Sequence, residues 1–159
     1  MNIGKIEHNI NVSMEYYRLA EKDKDVALLL RRNFEYRHSI YYFVQAMEKY
    51  IRSKIFTLVN PNISYFRDRN RSHSLDDAIN FLIEIISTDT NIQEQIKLQL
   101  NEHVLKNINF QHLHNNLRYP YYSVKYDSYS RVDYTKLDCD LIEESLNSLK
   151  LYLNDLNRL

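Results

Sequence analysis

The stretch that decides the fold is residues 34–58, FEYRHSIYYFVQAMEKYIRSKIFTL. Ile40, Val44, Met47, Ile51, Ile55 and Leu58 recur at steps of three and four, the spacing that stacks side chains on one helical face. No Gly or Pro interrupts the run, and Pro61 closes it, because proline supplies no amide hydrogen to a helix interior. A second stripe, His38, Tyr41, Gln45, Glu48 and Arg52, lies about a quarter-turn away. A plain bundle helix does not need it. It reads as a solvated face, as the wall of a polar groove or as a dimer seam, and periodicity alone does not separate these.

The rest of the chain repeats the helical pattern. Residues 12–32 carry Val12, Tyr16, Leu19, Ala20, Val26, Ala27 and Leu30 mostly on one face, and Asn33 breaks the run. After an Arg-rich connection that includes Arg67, Arg69, Arg71 and His73, Ser74 with Asp77 forms a capping signature for a third helix. Thr90 with Gln93 repeats the signature, and the fourth helix reaches about Asn115 on Ile92, Ile96, Leu100, Val104 and Ile108. Pro120 stops it. A Tyr-rich connection over residues 119–134 follows, and Thr135 with Asp138 opens a last helix to about Arg158 on Leu141, Leu149, Tyr152 and Leu156. One Gly and two Pro in 159 residues favour an all-α fold over one built on tight strand turns. Long amphipathic helices must cover one another's apolar faces. The sequence therefore predicts an all-α, up-and-down bundle of about five helices, a single domain over residues 1–159 with residues 1–11 as an N-terminal extension.

Composition narrows the function. Twenty-one basic residues balance twenty-one acidic ones, so no overall positive field holds nucleic acid, and any such binding is local. The lone Cys139 fits a reducing compartment. The N-terminus has no apolar signal core, and no stretch approaches the roughly 20 apolar residues of a membrane span. A soluble, cytoplasmic protein with no membrane contact is expected. His103, His112 and His114 fall close together, but His112 and His114 point to different sides of a helix and no Cys or carboxylate completes a ligand set, so no metal is expected. The only glycine, Gly4, builds no phosphate loop, and nothing points to a cofactor.

Three motifs then stand in order. The run Tyr36-Arg37-His38-Ser39-Ile40-Tyr41-Tyr42-Phe43-Val44-Gln45-Ala46-Met47-Glu48-Lys49 resembles the second-helix signature of the small stand-alone HEPN domains. His73-Ser74-Leu75 resembles the opening of their third helix, and Arg118-Tyr119-Pro120 their Arg-Tyr-Pro turn. The resemblance covers roughly residues 12–158. It implies a helical bundle, usually a homodimer, tied to nucleotide or RNA chemistry. Such proteins often stand beside a nucleotidyltransferase partner in bacterial toxin–antitoxin or defence modules. It also implies ligand-binding roles for Gln45, Glu48, Lys49, Arg118 and Tyr119.

Ribonuclease members of that superfamily carry an Arg followed by four to six residues and a His. This chain departs from the pattern, since all six histidines precede Arg118. Arg67 with His73, and Arg32 with His38, match the spacing elsewhere, as chance matches among so many basic residues would. Arg67 and His73 are the catalytic candidates of that alternative, a metal-independent endoribonuclease; a purely structural interaction subunit is the third reading. Arg118 itself has two readings, a ligand-binding guanidinium or a cap on the last carbonyls of its helix. Glu48 and Lys49 read equally as ordinary ion pairs. The tyrosines of residues 119–134, with Lys125 and Arg131, either pack over the bundle or offer rings for stacking bases.

Overall fold

A computed structural model describes residues 1–156. Seven α-helices and one small hairpin follow in order: α1 Val12–Arg32, α2 Tyr36–Leu58, α3 Ser64–Arg69, α4 Leu75–Ile86, α5 Thr90–Gln99, α6 Phe110–Arg118, β1 Tyr121–Ser123, β2 Ser128–Ser130 and α7 Lys136–Asp155. The chain is predominantly all-α, a helical bundle. The end expected near Arg158 lies outside the described residues. No helix is long and apolar enough, among those residues, to cross a membrane.

α2 is the central helix. Its stripe of Ile40, Val44, Met47, Ile51 and Ile55 is buried, while Leu58 at its end stays exposed. α1 runs back along α2 after a three-residue turn, and Ala20 and Ala27, wholly buried, let the two backbones approach closely. α4, α6 and α7 pack on the remaining sides. The starts are set by short polar side chains, as a helix N-terminus requires. Asn11 Oδ1 accepts from the Met14 amide at 3.1 Å and Ser74 Oγ from the Asp77 amide at 3.1 Å. Thr135 and Asp138 close a full capping box on α7.

Three departures from the expected five helices have identifiable causes. The Arg-rich connection contains a short helix, α3, whose Arg69 pairs with Glu84 of α4 at 2.7 Å and lies over the Phe81 ring. Asp89, not Thr90, caps α5, because its carboxylate reaches the amides of Asn91 and Ile92. The expected fourth helix breaks in two. A π-helical turn at Leu100–Val104 brings Leu100, Val104 and Leu105 into the core together; Lys106 and Asn107 then turn left-handed, and Asn109 caps a new helix, α6, through the His112 amide at 2.9 Å.

The Tyr-rich connection forms the hairpin, with Tyr122 opposite Tyr129. Packing of its tyrosines over the bundle is not what is found. Tyr119, Tyr121, Tyr122, Tyr126 and Tyr129 are exposed, and only Tyr134 is half-buried, beneath the Arg37 guanidinium. The strands satisfy each other's backbone groups, so the ribbon stands off the helices instead of being pulled onto them.

Candidate functional site

The second stripe of α2 is a groove wall. Tyr41, Gln45 and Glu48 line a cleft between α2, the connection leading into α4, and α6. A buried ion pair sets its base. Arg52 is 1% exposed and Glu48 7%. Arg52 Nε donates to Glu48 Oε1 at 2.9 Å, Nη1 to Asn70 Oδ1 at 2.7 Å, and Nη2 to the Ser72 carbonyl. Each of the three nitrogens has a partner, which is what makes a buried guanidinium tolerable. The same bonds fasten the connection at residues 70–72 onto α2, and Asn70 Nδ2 donates onward to the Tyr16 hydroxyl at 2.9 Å. His73, the next residue, is thereby held at the mouth of the groove, exposed, with Nδ1 4.0 Å from Glu48 Oε1.

α6 supplies the opposite wall. Arg37 of α2 donates from Nη1 to the carbonyls of Asn116 and Leu117, and from Nη2 to that of Val132. The carbonyls at this helix end are therefore occupied by Arg37, and Arg118 does not cap them. Its Nη1 lies 2.9 Å from His114 Nε2 instead, its Nη2 donates to the Tyr119 hydroxyl at 3.2 Å, and its Cζ stands 5.1 Å from the Tyr119 ring centre. Among the described residues Arg118 has no carboxylate partner.

Most sequence candidates meet here. Gln45, Glu48, Lys49, His73 and Arg118 line one stretch of groove of about 320 Å³. Tyr119 lines the adjoining hollow with Arg118 and His38. Lys49 is partly committed, because its Nζ pairs with Asp23 of α1. Arg67 does not join the others: it is exposed on α3 and lines none of these hollows, so the structure does not bring it beside His73 in the groove.

Sequence reasoning weighed His114 only as a metal ligand, not as a partner of Arg118, and missed the acidic end of the groove. His114 and Arg118 are four apart on one helix, a pairing open to any reader who searches both directions from the arginine. Asp77 accepts from Ser72 and from Ser74, the latter at 2.9 Å, and these bonds hold its carboxyl below the ordinary range. Burial, and then the neighbouring Asp77 charge, push the Asp76 carboxyl up. Among the described residues no three His, Cys, Asp or Glu side chains come together as metal ligands. Comparison of the chain with known protein families, curated proteins and solved structures returns no match.

Proposed function

We propose that this chain is a HEPN-like domain whose groove binds the phosphate of a nucleotide or an RNA strand. One observation carries the reading: the exposed Arg118 guanidinium is oriented by His114 and Tyr119 while its charge has no carboxylate to answer it among the described residues. A planar fork of donors already held in one orientation matches phosphate oxygens in pairs and loses little freedom on binding. The motif resemblance supports the same groove, because Gln45, Glu48, Lys49 and Arg118 all face it. On this reading the protein is a homodimer without catalysis of its own. It serves a nucleotidyltransferase-linked toxin–antitoxin or defence module. Fluorescence polarisation with a labelled RNA hexamer tests the groove: Arg118→Ala weakens binding about tenfold or more, and equal affinity for both proteins overturns the reading.

A second reading has its own observation. His114 Nε2 lies 2.9 Å from Arg118 Nη1, and His73 opens onto the same groove. An imidazole that moves a proton, beside a guanidinium that supports developing phosphate charge, would supply the groups that metal-free RNA cleavage uses.

A further inference from the structure

The contact between Arg118 and His114 fixes the charge of one of them. Arg118 Nη1 lies 2.9 Å from His114 Nε2. A guanidinium offers only N–H donors and keeps its proton in proteins. The imidazole must therefore accept at Nε2, which requires it to be neutral, with its hydrogen on Nδ1. A protonated His114 would turn a donor toward a donor. It would also set two positive charges one helical turn apart on the same face of α6, an arrangement that destabilises a helix.

The other groups around His114 are committed elsewhere. Glu48 of α2 and Asp77 of α4 face the same cleft, but Glu48 accepts from Arg52 and Asp77 from Ser74, both at 2.9 Å. Asp76 stands beside Asp77, and burial pushes its carboxyl up. Lys49 of α2 pairs with Asp23. Tyr16 of α1 and Tyr41 of α2 also face the hollow, and ordinary phenols change charge only far on the alkaline side. His73 is the other imidazole of this hollow. Its Nδ1 lies 4.0 Å from Glu48 Oε1, so a proton there answers Glu48 and not a ligand of Arg118.

A bound phosphate reverses the preference of His114. Arg118 uses one edge of its fork on His114 and the Tyr119 hydroxyl and has further N–H groups for a ligand. Phosphate oxygens only accept. Seated on Arg118, they reward a second donor at His114, and they lie between the two positive charges that would otherwise repel. The imidazole takes that proton from solvent, and the phosphodiester gives up none. We infer that phosphate binding at Arg118 is coupled to protonation of His114, so that the groove is a pH-responsive site that holds phosphate more tightly as the solution becomes acidic. The inference rests on the phosphate groove proposed above. The coupling is reciprocal: phosphate favours the proton by the same factor as the proton favours phosphate. The complex holds more protons than the free protein, so affinity rises as pH falls.

The test uses 2′-O-methyl hexauridylate without a terminal phosphate, labelled with tetramethylrhodamine. This probe has no free 2′-hydroxyl to be cleaved through and no group that titrates near neutrality. Polarisation at constant ionic strength, from about pH 8 to about pH 6, brackets the ordinary histidine range and stays above that of most carboxylates. Wild type binds about fivefold or more tighter at the acid end, within the limit of about a hundredfold that one whole proton sets over this span. His114→Gln, whose amide accepts but takes up no proton, shows no rise. His73→Gln and Asp76→Asn keep it. Calorimetry of wild type in two buffers of different ionisation heat registers net proton uptake on binding, a result that needs no variant. No rise in wild type, a rise that survives His114→Gln, or zero proton uptake overturns the coupling. If Arg118→Ala still weakens binding in that case, the phosphate groove stands. Failure of the hexamer to bind at any pH, or equal affinity for wild type and Arg118→Ala, overturns both.

Discussion

Arg37 of α2 donates from Nη1 to the carbonyl of Asn116, 2.6 Å away, in the last turn of α6. The bond assigns the work at this helix end. A guanidinium that bonds three carbonyls supplies charge-assisted hydrogen bonds, each contributing about 1.5–3 kcal/mol when buried and less when partly wet. Arg37→Met is expected to cost about 2–3 kcal/mol in urea unfolding, and Arg118→Met under about 1 kcal/mol. An equal loss at the two positions would return Arg118 to a capping role.

Stability should also depend on acid through Glu21. Burial raises its pKa, but bonds from Lys24 at 2.7 Å, from the Tyr50 hydroxyl and from Lys150 at 3.0 Å outweigh that and hold the carboxyl at about 2. A depressed carboxylate stabilises the fold above its unfolded pKa and loses that contribution as pH falls through its folded one. Its side chain is 32% exposed, so solvent screens it, and about 1–2 kcal/mol is expected. Urea unfolding of wild type and Glu21→Gln should differ by this amount at pH 7, with the gap closing between about pH 4.5 and pH 2. A gap that persists at the acid end would sink the assignment.

How far the sequence disclosed this can be read from particular residues. Ile40, Val44, Met47, Ile51 and Ile55 announced α2 because burial on one face imposes a period that sequence displays directly. Asn11, Ser74 and Thr135 start helices through bonds only a few residues long, so two of the three expected capping signatures stand at Ser74 and Thr135. The break at Lys106 and Asn107 was not legible. It follows from fitting Leu105 into the core, a tertiary demand that overrides a locally continuous pattern. The groove followed the same rule. Its wall on α2 is periodic and was visible as a stripe, whereas the approach of His73 depends on Arg52 gripping a connection eighteen to twenty residues away in the chain.

Assembly is open to a direct measurement. The proposed homodimer predicts that sedimentation at micromolar concentration gives a species of twice 19.3 kDa. A single 19.3 kDa species across that range removes it.

The nuclease reading predicts cleavage of a structured RNA in the presence of a chelator. His114→Ala or His73→Ala should abolish it, and Arg67→Ala should leave it intact, because Arg67 stands outside the groove. Wild type as inert as the histidine variants removes this reading and leaves binding as the function.

The sharpest contrast is Arg118→Lys. Lysine keeps the positive charge, so long-range attraction to phosphate survives the exchange. It does not keep the planar fork, the approach to His114 Nε2 at 2.9 Å or the bond to the Tyr119 hydroxyl at 3.2 Å in the same orientation. Arg37 already serves the carbonyls of Asn116 and Leu117, so the fold has little to lose. The melting temperature of Arg118→Lys should stay close to that of wild type. Its affinity for the RNA hexamer should fall about tenfold, near 1.4 kcal/mol. Arg118→Ala should fall further and should also flatten the dependence of affinity on salt, since one phosphate contact is lost. Equal affinity for arginine and lysine would mean that the groove reads only charge, and the oriented guanidinium would then be incidental. A clear drop in melting temperature with unaltered affinity would make Arg118 a residue of the fold.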